Sequence, residues 1–200
     1  AAPVVYVALG DSTGVGVGAR QGGGYAARLL ERLERVRAGS RLVNLCVSGA
    51  TSADVLRGQV GRVGAAAPTL ITLGIGINDI THGLAPEEFE RNCDEIAARL
   101  REQTDAPVVV TNIPDISHAP AVPVSMREGV RTRLNLFNAR LAAVASRRRF
   151  SLVDAYTKSH ALIPAHPEFF SSDNFHPSDE GYEYWAALMW PWLKEAVGEA

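Results

Sequence analysis

Apolar residues recur along this chain in two rhythms that alternate. Short runs rich in aliphatic and β-branched residues, at positions 4–9, 41–47, 69–73, 107–112 and 150–153, predict five buried strands. Between them the apolar positions shift to helical spacing. Ala26, Leu29, Leu30 and Leu33 mark one such face, and Phe89, Cys93, Ile96, Ala97 and Leu100 mark another. Val130, Leu134, Phe137, Leu141 and Val144 make a third stripe, and Tyr182, Trp185, Ala186 and Met189 a fourth. A shorter helix, capped by Thr51 or Ser52, is expected to turn Ala53, Leu56 and Val60 inward.

Several residues fix where these helices begin and end. Pro86 suits a first helical position, with Glu87 and Glu88 at the positive end of the helix dipole. Ser125-Met126-Arg127-Glu128 has the form of a capping box. The last helix opens near Pro177-Ser178-Asp179, and Pro191 is expected to kink or restart it. Residues 10–24 read as a glycine-rich loop and residues 154–176 as a long irregular stretch. Strand and helix alternate five times, which predicts a parallel sheet covered by helices on both faces. The whole chain, 1–200, reads as one α/β domain.

In such a fold ligands bind outside the carboxyl ends of the strands. Gly10-Asp11-Ser12, Ser48-Gly49, Gly76-Ile77-Asn78 and the loop at Pro114 all fall at predicted strand ends. Asp173-Asn174-Phe175-His176-Pro177 arrives there from the fifth strand by a long loop. Ser12 is the candidate nucleophile, and its hydroxyl needs a base to take the proton during attack. His176 can be that base, and a carboxylate three residues earlier, Asp173, can hold the imidazole in the required tautomer. Attack on an acyl carbon creates an oxyanion. The backbone N–H groups of Ser12 and Gly49 and the side-chain amide of Asn78 are the expected donors to it. Asp11, His82, Leu84, Ile113, Pro114 and Phe175 are candidates for the substrate pocket. Phe169, Phe170 and Phe175 could line an acyl channel, with packing of the loop on the sheet the favoured role. Asp11 and Asp79 are expected to brace their own turns.

Composition narrows the remaining options. The formal net charge is −2 among 21% charged residues, which favours neither nucleic acid nor an anionic membrane surface. The one basic run, Arg147-Arg148-Arg149, closes a predicted helix, where cations complement exposed carbonyls. No apolar run approaches the ~20 residues of a membrane span. Cys46, in a predicted strand, and Cys93, on a helix face, are too few for a disulfide framework and read as small buried residues. His82, His118, His160 and His166 lack metal-ligand spacing and read as surface or loop histidines. The chain begins at Ala1 without Met, so a cytoplasmic location and export with removal of a leader both stay open.

The blocks Gly10-Asp11-Ser12, Gly49, Gly76-Ile77-Asn78-Asp79 and Asp173-Asn174-Phe175-His176, with Gly181-Tyr182 soon after, resemble those of the SGNH hydrolase superfamily, the GDSL-type lipases and esterases. Thr13 stands where leucine often follows the serine. The resemblance implies a flavodoxin-like three-layer α/β/α domain of strand order 2-1-3-4-5, with no metal and no cofactor. It also implies hydrolysis of a small-molecule acyl ester or thioester through an acyl-enzyme. Lysophospholipases, thioesterases, arylesterases and sugar deacetylases share these blocks, so the substrate is not inherited with them.

Two rival motifs are weaker. Gly10-Asp11-Ser12-Thr13-Gly14 also fits the Gly-x-Ser-x-Gly elbow, but a single strand precedes it and the acid and histidine are three residues apart. Gly14-Val15-Gly16-Val17-Gly18-Ala19 fits a dinucleotide fingerprint, yet the second strand ends Asn44-Leu45-Cys46-Val47-Ser48 with no acid for a ribose. Those glycines are expected to form a flexible wall beside Ser12. A non-catalytic carbohydrate- or protein-binding role is the alternative outside enzymes.

Overall fold

The computed structural model describes residues 2–199. In chain order it contains β1 (Val5–Gly10), α1 (Ser12–Val15), α2 (Tyr25–Val36), β2 (Arg41–Asn44), α3 (Ser52–Gly58), β3 (Leu70–Gly74) and α4 (Ile77–Thr81). These are followed by α5 (Pro86–Gln103), β4 (Val108–Thr111), α6 (Arg127–Arg148), β5 (Ser151–Val153), α7 (Ala155–Leu162) and α8 (Asp179–Ala196), with short 3-10 turns between elements. All five strands are parallel and lie in the order β2-β1-β3-β4-β5. This is the expected doubly wound order. It reverses direction between β1 and β3, the position at which such sheets open a crevice.

Alternation along the strands divides the core in two. Val7, Leu9, Ile71, Leu73, Val108 and Val110 face one side and are buried with Phe89, Ile96, Leu100, Leu134, Phe137 and Leu141 of α5 and α6. Tyr6, Ala8, Leu70 and Val109 face the other and are buried with Leu29, Leu33, Tyr182, Trp185 and Met189 of α2 and α8. Because both faces are covered, the strands carry near-continuous apolar runs.

The structure departs from the sequence expectations where polar side chains decide the local geometry. Residues 154–176 are not irregular throughout. Asp154 accepts from the Thr157 N–H and caps α7, and 3-10 turns follow at Ile163–Ala165 and Pro167–Phe169. Residues 10–24 contain a helical turn, α1, capped by Asp11. The proposed capping box at Ser125–Glu128 does not form; a 3-10 turn over Val124–Met126 leads directly into α6. Thr51 and Asp54 form a true capping box on α3, which buries Ser52 and Val55, while Leu56 packs against the core and Val60, just beyond the helix, is fully buried as expected. α8 runs unbroken through Pro191. β2 ends at Asn44, so Cys46 lies beyond the strand, and both cysteines are free thiols. The basic run at the end of α6 pairs with α5 through Arg147 and Arg148, which reach Glu90 and Asp94.

Candidate active site

The end of β1 turns sharply. Gly10 sits so close to β3 that a Cβ there would lie 2.3 Å from the Gly74 carbonyl oxygen. The chain beyond β2 still reaches this turn, the Val47 N–H donating to the Gly10 carbonyl at 3.1 Å, and the buried Gln59 amide clips it as well. Its Oε1 accepts from the Gly10 N–H at 2.9 Å and its Nε2 donates to the Gly10 carbonyl at 2.8 Å. Asp11 then caps α1, accepting from the Thr13 N–H at 2.9 Å and the Thr13 hydroxyl at 2.8 Å. Burial raises the Asp11 carboxyl from its ordinary value, against those Thr13 bonds, which lower it. Ser12, the first residue of α1, is thereby fixed at the top of the β1/β3 crevice.

The C-terminal loop brings its histidine to the same place. His176 Nε2 lies 2.9 Å from Ser12 Oγ, across 164 residues of sequence. His176 Nδ1 lies 2.6 Å from Asp173 Oδ2. Asp173 Oδ1 accepts from the N–H groups of Phe175 and His176 at 2.9 and 2.8 Å and from the Ser171 hydroxyl at 2.9 Å. Partial burial alone would raise the Asp173 carboxyl. The hydrogen bonds from His176, the two N–H groups and Ser171 outweigh it and hold the group well below the usual carboxylate range.

The glycines of residues 14–18 take their conformations from close packing rather than flexibility. Gly18, at φ +95°, would place a Cβ 2.6 Å from the Pro177 carbonyl oxygen and 2.9 Å from His176 Cβ. The Tyr182 hydroxyl donates to the Val17 carbonyl at 2.6 Å, and Asp179 accepts from the N–H groups of Arg20 and Gln21. The loop is a fixed wall against the histidine. Cys46 packs beneath it, where a Cβ on Gly14 would lie 2.3 Å from its sulfur, and burial pushes its thiol well up.

Gly49 and Asn78 follow β2 and β3, on either side of Ser12. Gly49 has φ +80°, and among the described residues its N–H has no acceptor. Asn78 Nδ2 donates to the Ala50 carbonyl at 2.9 Å, which leaves one of its two amide protons free. Asp79 does more than brace its own turn through its own backbone N–H. Its buried carboxylate crosses to α3 and accepts from the Ser52 N–H and hydroxyl, which Asn92 also reaches. Burial raises the Asp79 carboxyl in spite of these bonds. The loops after β2 and β3 are therefore laced to each other.

An apolar pocket opens beside Ser12 and His176. Asp11, Ile113, Pro114 and Phe175 line it, and so do Phe169 and Phe170. His82 and Leu84 do not: α4 carries the chain away, leaving His82 exposed at its end and Leu84 packed on the α5/α6 layer. Phe169 also stacks on His166 and Tyr184, so it packs its loop and faces the pocket at once. The sequence reading missed Ile116, Ser159, Ile163, Trp185 and Leu188 of the wall. His160 is no bare surface histidine either, because its Nδ1 lies 2.6 Å from the buried Asp115 carboxylate and ties α7 to the loop after β4. Asp154, which caps α7, was a visible sign of that helix.

A doubly wound sheet with a serine, histidine and aspartate joined at its carboxyl edge defines an SGNH-type hydrolase fold. The chain belongs to the GDSL-like lipase/acylhydrolase family, whose model matches residues 8–184. It is 33% identical over 202 residues to a GDSL-like esterase of Mycobacterium tuberculosis, covering 96% of this chain and 62% of that relative's length. It is 25% identical to Esterase TesA of Pseudomonas aeruginosa, covering 97% of this chain and 90% of the relative. The crystal structure of TesA superposes with a TM-score of 0.74 at 25% identity, over 96% of this chain and 99% of that one.

Proposed function

We propose that this chain hydrolyses carboxylic esters through an acyl-enzyme on Ser12. The observation that carries this reading is the continuous hydrogen-bonded line Ser12 Oγ–His176 Nε2 and His176 Nδ1–Asp173 Oδ2, at 2.9 and 2.6 Å. Ser12 Oγ attacks the acyl carbon while its proton passes to His176 Nε2. The oxyanion forms against the N–H groups of Ser12 and Gly49 and the free amide proton of Asn78. Collapse expels the alcohol, which takes the proton from His176. Water then attacks the acyl-enzyme by the same route and releases the acid. Asp173 remains a carboxylate throughout, holding the proton-bearing Nδ1 and stabilising the imidazolium. A thioester or lysophospholipid would be processed by the same groups, and a non-catalytic binding role would leave this line of bonds without a use.

The test is turnover of p-nitrophenyl esters by the wild type and Ser12→Ala. Activity lost in a variant with an unchanged circular dichroism spectrum and melting temperature is the expected result. Esterase activity retained by Ser12→Ala would overturn the assignment.

A further inference from the structure

The cations of α6 fall into two groups. In its second half Arg140, Arg147 and Arg148 all pair with Glu87, Glu90 and Asp94 of α5. Near its start Arg127 and Arg131 do not. The Nε of each is closed off from water without a hydrogen-bond partner, and neither guanidinium reaches a carboxylate among the described residues. Glu128 between them is exposed and pairs with neither. Two like charges one turn apart repel, and cations at this end of a helix oppose its dipole.

The face that carries this pair is fixed by its neighbours. Arg127, Arg131, Leu134 and Asn138 recur at helical spacing along one side of α6. Leu134 is fully buried, and the Asn138 amide holds both backbone groups of Ile113, so this side is turned to the loop after β4. The arginines therefore stand beside the 3-10 turn Ile116–His118, which packs on α6. Across from them lies α7. Burial and the Asp115 charge raise the Tyr156 hydroxyl, and the Arg131 charge opposes them, so Arg131 and Tyr156 are neighbours. Tyr156 stacks on His160 at 6.0 Å between ring centroids, and His118 lies 6.5 Å from His160. The carboxylate beneath this groove, Asp115, is fully buried and already engaged by His160 Nδ1 and the Ser117 N–H.

Two guanidiniums with free donors, side by side and without an acid, suit a ligand with several anionic oxygens. Their planar N–H forks match the oxygens of a phosphate. We infer that the groove between α6, the Ile116–His118 turn and α7 binds a phosphate group through Arg127 and Arg131, with His118, Tyr156 and His160 as its walls. The site is separate from Ser12 but shares a wall with its pocket, which Ile116 and Ser159 line from the same turn and helix. Binding there does not depend on the ester-hydrolase reading.

The probe is inorganic phosphate added to the full chain, compared with sodium chloride at equal ionic strength. Titration calorimetry should show one phosphate bound per chain. At about ten times the dissociation constant so measured, Tm should rise by about 3–6 °C, against less than about 1 °C in chloride. Arg127→Gln and Arg131→Gln keep much of the stem and remove the charge, and each should weaken phosphate binding at least about tenfold. Each also removes a repulsion, so neither should lower Tm when phosphate is left out. Arg62→Gln removes an exposed charge elsewhere and should leave binding within about twofold. Phosphate that acts no more strongly than chloride, or that both α6 variants still bind, would overturn the site.

A second measurement finds the source of the phosphate. It compares kcat/KM for butyrate esters of glycerol 3-phosphate and of glycerol. A preference of at least about tenfold for the phosphorylated ester, lost in Arg131→Gln, supports the site and makes the phosphate part of the substrate. Equal turnover with inorganic phosphate still bound supports it as the site of a separate ligand. Phosphate bound as expected with no turnover of any ester would support the site and sink the hydrolase reading instead.

Discussion

Asp173 is the residue whose environment says most about the proposed chemistry. Three donors besides the imidazole hold it ionised, and its pKa is depressed in the folded state. Its contribution to stability is therefore complete above the unfolded carboxylate value of ~3.9 and is lost as pH falls through the lower folded value. It stays charged throughout the range in which an imidazole takes up its proton. The acid limb of kcat/KM should accordingly follow protonation of His176, falling as pH drops through the pKa of the free enzyme's base. A profile flat down to pH 4 would contradict a histidine base. Asp173→Asn keeps an oxygen for the Phe175 and His176 N–H groups but presents an amide where Nδ1–H needs an acceptor. It should lower kcat by about 10³–10⁴ while leaving the loop folded. Asn78→Ala removes the proposed side-chain donor to the oxyanion, and kcat should fall ~10²–10³ with little change in KM. An unchanged kcat would take Asn78 out of the oxyanion hole. The residue types of this site were legible because each block is local: a strand end, a tight turn and a polar side chain within a few positions. The role of Asp79 was not, because its partner Ser52 lies 27 residues away on α3.

At the scale of elements, strand ends here are finished by side-chain amides. Gln59 closes both backbone groups of Gly10, and Asn138 of α6 does the same for Ile113, accepting from its N–H and donating to its carbonyl at 2.9 Å each. Each amide clips the backbone just where the chain leaves the sheet toward the site, Gln59 beside the bond that the Val47 N–H still makes to the Gly10 carbonyl. Gln59→Leu keeps the volume but leaves the buried Gly10 N–H unpaired, at about 1–3 kcal/mol, while the Gly10 carbonyl keeps its bond from the Val47 N–H. The expected loss is about 1–3 kcal/mol, read as a lower urea midpoint at unchanged slope. A loss well below about 1 kcal/mol would mean that water supplies the missing partner. Neither clip is readable in the sequence, since a glutamine 49 residues from its target looks like any polar position. α7 escaped for a related reason. Only Ala155 and Ser159 are buried along it, so it shows no apolar stripe, and its position is held by the Asp115–His160 and Ser159–Asp115 bonds.

Over the whole molecule, the parallel sheet with helices on both faces was legible from five β-α alternations, and its strand order came with the family resemblance. The pocket wall was not, because it gathers side chains from Asp11 to Leu188 that share no local pattern. The same contrast between local and long-range forces decides what holds the outer layer of α5 and α6. Arg140, Arg147 and Arg148 of α6 form a lattice of ion pairs with Glu87, Glu90 and Asp94 of α5. Beneath it Phe89 and Phe137 are fully buried, with ring centroids 4.8 Å apart. The lattice is conspicuous, yet its members are partly exposed to water, where a pair contributes about 0–1 kcal/mol. Truncating a buried phenylalanine loses its transfer energy and leaves a cavity, about 3–5 kcal/mol. Asp94→Ala should therefore shift the unfolding free energy by less than about 1 kcal/mol, and by still less in high salt. Phe137→Ala should remove several times as much and show little salt dependence. Equal losses from the two variants would mean that the charges, and not the aromatic pair, hold this helical layer on the sheet.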